Sequence, residues 1–376
     1  MRILIISDIY PYSSQPEQTD AVMLLHNYAR SWNETNYVEV IHPHSYNLIS
    51  VWNRKVLKRE FKLNGIVIHN RHILRLPGGR LWKRGFLNAV DISTFDVILG
   101  CMPVSLELTN DLSNRYKIPY ITYLQGTDYR RSGAIGGVLS SNYQKWLSEA
   151  SKVVCVSELL SKRFFKAVPN HISIAVVPGA VLDHWVEEVP YRKFDFSSKL
   201  KILTIARLVK QKRHHVILEM LLKSKLDCEY VIVGDGEDSD EIKKKVTSSD
   251  YLNQIVSFKG KKSLDEIKEI MDLSDIMILL STNESFGLVF LEAMARGCIV
   301  IGTRNDGIDG TILHGFNGFL CESDPLSLEK LMNKILAMPE YELQKVSENA
   351  KSTAQKHTYS HLANKFMGLF KQALDS

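Results

Sequence analysis

Short runs rich in β-branched and aliphatic residues alternate with stretches of helical spacing, and the pattern occurs twice along the chain. In the first half, Arg2–Ser7, Tyr37–His42, Val97–Leu99, Tyr120–Tyr123 and Val153–Val156 read as strands. Between the first two lies Ala21–Trp32, where Val22, Leu25, Ala29 and Trp32 recur at helical threes and fours. A polar, aperiodic stretch at 189–199, containing Pro190, reads as a linker. The alternation then restarts. Lys201–Ala206, Tyr230–Val233, Ile255–Phe258, Ile276–Leu280 and Ile299–Ile301 are the expected strands. His214–Lys223, Asp238–Val246, Leu264–Met271, Phe286–Arg296 and Leu326–Met338 are the expected helices. Strands alternating with helices build parallel sheets covered on both faces. The expected fold class is therefore α/β, with two doubly wound parallel-sheet domains facing a cleft, at 1–190 and 200–358. A C-terminal helix follows at 359–376, with Leu362, Phe366, Leu369 and Phe370 on one stripe. Ligands of such sheets bind beyond the carboxyl ends of the strands.

Several classes are excluded or disfavoured. The five cysteines, Cys101, Cys155, Cys228, Cys298 and Cys321, show no CxxC spacing and mostly sit in apolar runs. They read as buried reduced thiols in a reducing compartment, with no zinc site. The apolar run after Met1 is too short for a secretion signal, and no stretch approaches the roughly 18 apolar residues of a membrane span. The expectation is a cytoplasmic protein. Its formal net charge of +5 is uneven. Residues 1–199 carry 24 basic and 17 acidic side chains, so the rest of the chain is slightly acidic. Within 51–90, ten basic residues face a single acid, Glu60. Local positive charge implies a local anionic partner.

The chemistry concentrates in the second half. Glu284 follows an expected strand, and Glu292 lies eight residues on, a little over two turns if the segment is helical. Between them Phe286, Gly287 and Leu288 offer backbone amides at a helix start, a place suited to a diphosphate. Alone, the two acids read as ordinary helix residues. Arg207 ends another strand, and Lys212 follows five residues later. A guanidinium fork and an ammonium at one strand end can neutralise a diphosphate, although either alone reads as surface charge. Gly234-Asp235-Gly236 after a further strand is a turn that also suits a nucleotide-facing strand end.

Four stretches in order resemble the retaining glycosyltransferase family 4, of GT-B fold. They are Ala206-Arg207-Leu208-Val209-Lys210-Gln211-Lys212, Gly234-Asp235-Gly236, Glu284…Glu292 and Gly315-Phe316-Asn317-Gly318. The resemblance implies a nucleotide-sugar donor site in the second domain, with Arg207 and Lys212 on the diphosphate. It gives Glu284 the sugar hydroxyls and Glu292 the ribose. Phe286, Gly287 and Leu288 would contribute backbone contacts, beside Gly234 and Gly236. It implies transfer with retention, without metal or other cofactor. It also implies that the last helix packs back on the first domain. Weaker likeness continues in the first half at Gln125-Gly126-Thr127-Asp128. Gln125 replaces the family histidine, so an acid–base role there is lost while sugar orientation by Gln125 and Asp128 remains possible chemistry. The loop after the first strand, Asp8 to Asp20, lacks the family's glycines.

The basic block, with Arg54, Lys55, Lys58, Arg59, Lys62, Trp82, Lys83 and Arg84, interleaves cations with Trp52, Phe61 and Phe86, and places Trp52, Val56 and Arg59 on one helical face. It suits an anionic membrane surface, or a lipid-linked acceptor at the inner face of a membrane. A solvated basic face is the plain alternative, and nucleic acid is disfavoured because its usual modules are absent. The function expected is transfer of a sugar from a UDP-sugar, or a GDP-sugar, to a glycan acceptor. A non-catalytic GT-B subunit and a sugar-nucleotide epimerase of the same fold are the alternatives.

Overall fold

The computed structural model describes residues 1–14, 20–47, 57–75, 81–82, 90–101, 103–126, 141–167, 173–195 and 199–375. The chain forms two units, Met1–Pro178 with Tyr359–Ser376, and Gly179–Thr358.

The first unit contains one sheet of nine described strands. These are β1 (Arg2–Ser7), β2 (Tyr37–Asn47), β3 (Glu60–Leu63), β4 (Ile66–Arg75), β5 (Leu81–Trp82), β6 (Val97–Cys101), β7 (Tyr120–Leu124), β8 (Lys152–Cys155) and β9 (Ile174–Val176). Their order is β3-β4-β2-β1-β6-β7-β8-β9, with β5 also on β4. All pairings are parallel except those of β3 and β5 with β4. The central strands are apolar on both faces because helices cover both, and β6 and β7 are buried at every position.

The C-terminal helix Tyr359–Leu374 is part of this unit. Its apolar stripe of Leu362, Phe366, Leu369 and Phe370 is buried. Phe366 lies 5.1 Å from Tyr28, 5.2 Å from Trp32 and 5.1 Å from Tyr123, centroid to centroid. Trp32 satisfies its indole N–H on the Ala363 carbonyl at 3.2 Å. Edge-to-face packing of this kind adds to the large area each ring removes from water.

Two readings of 51–90 change. Among the described residues this region forms strands. β3 and β4 make a two-residue hairpin through Asn64-Gly65, whose φ angles are 48° and 82°, with Leu63 opposite Ile66. Arg59 therefore does not share a helical face with Trp52 and Val56, which lie outside the described residues. Phe61 points into the core, 6% exposed, and is not available to enter a membrane. Lys58, Arg59 and Lys62 are exposed. Arg54, Lys55, Lys83 and Arg84 lie outside the described residues.

The second unit is a six-stranded, all-parallel sheet: β10 (Leu200–Ile205), β11 (Cys228–Val233), β12 (Val256–Gly260), β13 (Ile276–Leu279), β14 (Ile299–Thr303) and β15 (Phe319–Cys321). The order β12-β11-β10-β13-β14-β15 reverses direction between β10 and β13. This is the doubly wound dinucleotide-type order, with its topological switch point at the β10/β13 pair. All five cysteines are buried and none forms a disulfide among the described residues.

The unit boundary lies earlier than the linker reading placed it. Residues 179–190 belong to the second unit because buried arginines hold the connecting segment down. Arg296 is 1% exposed and pairs bidentately with Asp272 at 2.6 and 2.9 Å. It also donates to the carbonyls of Trp185, Glu187 and Glu188. Arg192 donates to the carbonyls of Arg296, Met271 and Ser274. The segment is a strap pinned at both ends: Arg296 satisfies carbonyls at 185–188, just before the stretch that reads as a linker, and Arg192 within that stretch reaches carbonyls of the second unit's body.

Replacing Phe366 by Ala should remove the centre of the aromatic cluster. The first unit's unfolding transition in urea should lose about 3–5 kcal/mol. A loss below about 1 kcal/mol would show that the C-terminal helix is not held by this packing.

Candidate functional site

The switch point leaves two strand-end loops side by side, one after β10 and one after β13. In the first, Arg207 is exposed and has no acidic partner among the described residues. Residues Lys210–Lys212 turn as a 3-10 helix, and Arg213 takes a left-handed φ of 52° before the helix His214–Ser224 begins. Two groups, the buried His214 and the half-buried Arg213, fix this loop. His214 donates its Nε2–H to the Arg207 carbonyl at 3.3 Å, and Arg213 donates to the Ser323 carbonyl at 2.8 Å. Burial pushes the His214 pKa down, so the ring is neutral at pH 7 and acts as an oriented donor.

The loop after β13, Ser281 to Gly287, reaches the helix Leu288–Ala295 through Gly287, which has φ 90°. That left-handed turn puts the first helical amides next to the loop. Those of Leu288 and Val289 have no carbonyl partner inside the helix. Phe286 is 3% exposed, with its ring packed against Gly179, so its backbone rather than its side chain faces the loop. The helix begins later than the sequence pattern suggests. Glu284 lies outside it and Glu292 within its body, half-buried, so the two acids are not two turns apart on one helix.

The two loops are joined laterally. Thr282 donates its N–H to the Gln211 carbonyl at 2.9 Å, and the Gln211 side-chain amide donates to the Asn283 carbonyl at 3.1 Å. Lys212 forms an ion pair with Glu284, with side chains only 18% and 19% exposed. The sequence reading placed these residues 72 positions apart in separate roles. The structure makes them one unit.

Gly234 and Gly236 join from the third side. The Leu208 N–H donates to the Asp235 carbonyl at 3.1 Å, and Asp238 returns the bond to Leu208 at 2.9 Å. A Cβ on Gly234, at φ 130°, would stand 2.0 Å from the Ala206 carbonyl oxygen, and one on Gly236 would stand 2.3 Å from that of Leu208. The glycines are required by backbone contact between the two strand ends. Asn317 has a comparable structural task. It is 2% exposed, accepts from the Leu313 N–H and donates to Thr311 and Thr353.

Three residues of this constellation escaped the sequence reading: Gln211, His214 and Asp306. Asp306 lies three residues past the end of β14 and is 4% exposed. Its carboxylate accepts the Glu284 N–H at 2.8 Å and the Ser281 hydroxyl at 3.3 Å. Burial, reinforced by the nearby Glu284 charge, raises its pKa to about 6. The available signal was positional, since Asn305-Asp306-Gly307 follows a buried strand just as the other site loops do. In the first unit Gln125 follows β7 and is half-buried, while Asp128 lies outside the described residues. Among the described residues no group of three or more His, Cys, Asp or Glu could hold a metal ion, and no helix is long and apolar enough to cross a membrane.

Residues 191–353, the part that contains this constellation, match the family of glycosyl transferases group 1. That match spans most of the second unit. Related sequences agree with it. The N-acetyl-alpha-D-glucosaminyl L-malate synthase of Bacillus anthracis is 32% identical over 218 residues, 55% of this chain and 55% of that protein. An uncharacterized glycosyltransferase of Methanocaldococcus jannaschii is 26% identical over 251 residues, 66% of this chain and 67% of that one. The match to the first of these spans about half the length of each protein. The fold extends further. The Anabaena protein HepE, solved in complex with UDP, superposes with a TM-score of 0.72 at 17% identity, covering 99% of this chain and 100% of that one. Its complex with UDP-glucose gives 0.69 at 18% identity, covering 99% of each. The chain thus shares the two-sheet GT-B architecture expected from the sequence.

Proposed function

We propose that the chain is a retaining glycosyltransferase that takes a sugar from a UDP-sugar, with the Lys212–Glu284 pair at the β10/β13 switch point as the centre of its donor site. The pair carries the reading because it sets a cation and a carboxylate side by side where doubly wound sheets take nucleotides. Arg207, exposed and without an acidic partner among the described residues, supplies a second cation. A diphosphate carries more charge than the Glu284 carboxylate and competes for Lys212. Its arrival releases Glu284 to accept hydrogen bonds from sugar hydroxyls. UDP is favoured as the nucleotide because UDP and UDP-glucose are the ligands of the HepE structures; the fold likeness alone leaves GDP as the second candidate. Glu292 would take the ribose hydroxyls, and the backbone of Phe286, Gly287 and Leu288 would contact sugar and phosphates.

In the reaction the bond between the anomeric carbon and the diphosphate oxygen breaks. A bond forms from the same face to an acceptor hydroxyl oxygen, and the acceptor proton passes to the departing diphosphate. Arg207 and Lys212 stabilise the charge that develops on the leaving group, the largest kind of catalytic contribution in such transfers. Two fixed cations remove the need for a divalent ion. The acceptor is a glycan or lipid-linked glycan, for which the first unit and its half-buried Gln125 are the proposed holders. The exposed cations Lys58, Arg59 and Lys62 are proposed to meet an anionic membrane surface.

Calorimetry with UDP should separate the two roles. Lys212→Ala loses a charge-assisted contact of roughly 1.5–3 kcal/mol, so UDP affinity should fall about tenfold or more. Glu284→Gln should bind UDP as tightly as the wild type or more tightly, because Lys212 is released, while sugar turnover collapses. Unchanged UDP binding by Lys212→Ala would remove the donor site from this place. Release of UDP from UDP-sugars should persist in excess chelator; complete loss, restored by magnesium or manganese, contradicts the assignment of Arg207 and Lys212. Sedimentation with phosphatidylserine vesicles at low salt should retain the protein, and reversing Lys58, Arg59 and Lys62 to Glu should release it. Wild-type protein that ignores such vesicles leaves these cations a solvated face.

A further inference from the structure

The loop that carries Glu284 is held from both sides. Toward β10 it is tied by Gln211 and Lys212. Toward β14 it is tied by a buried carboxylate that the donor chemistry leaves unused. Asp306 takes the backbone N–H of Glu284 itself at 2.8 Å and the hydroxyl of Ser281 at 3.3 Å. The next residue, Gly307, lies so close to the same loop that a Cβ would stand 2.5 Å from the Ser285 carbonyl carbon and 2.6 Å from the Glu284 oxygen. The β14 turn and the Glu284 loop therefore pack backbone to backbone, and Asp306 is the side chain that fastens them.

We infer that Asp306 is a positioning residue of the donor site: its ionised carboxylate fixes the Glu284 backbone, and protonation of Asp306 loosens that loop and lowers sugar turnover while leaving nucleotide binding in place. The inference rests on the donor-site reading above. Asp306 contacts neither Lys212 nor Arg207 by any recorded bond, so its effect passes through Glu284.

The surroundings decide the direction of the pH effect. Of the charged groups near Asp306, Glu284 opposes its ionisation, and Lys212 on the β10 loop is engaged by Glu284. On the β14 turn itself, Arg304 pairs with Glu322, and Asp309 accepts from the Asn305 N–H. The Glu284, Gly307 and Ser281 hydrogen bonds favour the charged form, but burial outweighs them and brings the pKa up to about 6. Asp306 is thus ionised above that value and becomes neutral below it. A neutral carboxyl is a weaker acceptor than a carboxylate, because the charge-assisted bond is about twice as strong as a neutral one. The loop is held firmly at pH 7.5 and loosely at pH 5.

The test combines two measurements on the full chain. Amide hydrogen exchange over 281–287, corrected for its intrinsic pH dependence, reads the clamp without substrate. UDP release from a UDP-sugar, with UDP affinity by calorimetry, reads its consequence. In the wild type, protection and turnover should both fall as pH drops through about 6, with UDP affinity changing less than threefold. Asp306→Asn keeps an amide acceptor but cannot titrate, so its turnover, normalised to its own plateau, should lose this acid limb. Asp306→Ala should lower turnover about tenfold or more at pH 7.5 and expose the 281–287 amides, and Asp306→Glu should restore part of both. An acid limb that persists in Asp306→Asn, or wild-type protection of 281–287 in Asp306→Ala, overturns the inference. A wild type that neither binds UDP nor releases it from any UDP-sugar overturns the donor reading instead, and the exchange data then still decide whether Asp306 is the clamp.

Discussion

Parallel strands deliver all their following loops to one end of the sheet, and the sheet supplies those loops with no hydrogen bonds of its own. In the second unit the strand order sends the chain away from β10 on one side and away from β13 on the other. Their loops are neighbours without being consecutive. Lateral bonds must therefore fix the geometry: Gln211 to the 282–283 backbone, Lys212 to Glu284, and Asp306 to Ser281 and Glu284. Each links residues brought together by topology rather than by sequence. The functional reading depends on this arrangement, because a lysine and a glutamate distant in sequence acquire a shared role only there.

Burial separates the structural arginines from the cations of the proposed donor site. Arg296 and Arg192 are buried; Arg296 is spent on Asp272 and on carbonyls of the connecting segment, and Arg192 on the carbonyls of Met271, Ser274 and Arg296. Removing either would leave several buried carbonyls without donors, a loss of stability rather than of chemistry. Arg207 differs. It sits at the end of β10 and is exposed, and the fold assigns it no acid among the described residues. Lys212 lies between these cases, partly buried and held by one carboxylate that a stronger anion can displace.

The central strands β10, β11, β13 and β14 were legible because they are largely buried, and such strands read as apolar runs, whereas the three-residue β15 was too short to read. The helices His214–Ser224, Ser239–Thr247, Leu264–Asp272 and Pro325–Leu336 were legible for the opposite reason, since one face of each is wet and the 3.6-residue period shows; Asp250–Ile255 and Glu340–Gln355 went unread. The site was legible only in part. Lys212 and Glu284 carry distinctive chemistry, whereas Asp306 is a single acid in a turn, and its importance comes from a bond to another residue's backbone. The short helix that carries Glu292 illustrates a further limit. Gly287 turns the chain at φ 90°, a feature the periodicity of Phe286–Arg296 hides. The hairpin at 60–69 was written in Asn64-Gly65 with Phe61, Leu63, Ile66 and Ile68 around it. Its alternation of charged and apolar residues was read as a basic patch, because a half-buried strand puts its charges on the face that composition counts.

The ion pair at the switch point also explains why the proposed site can stay folded without a ligand. Two loops that both offered cations to an empty space would repel, and a lysine at 18% exposure would lack much of its water shell. Glu284 removes that difficulty by occupying Lys212 until an anion arrives. At an effective dielectric near 20, unit charges about 4 Å apart interact by roughly 4 kcal/mol, so the exchange of one carboxylate for a diphosphate is favourable only if the incoming group brings more charge or better geometry. Chloride and monocarboxylates do not; a nucleoside diphosphate does. In the proposed donor site the same exchange would free a carboxylate beside the phosphates, next to the sugar. In the proposed site, anion selection and sugar recognition would be two consequences of one displaced bond, whose carboxylate partner Glu284 is held through its backbone N–H by Asp306.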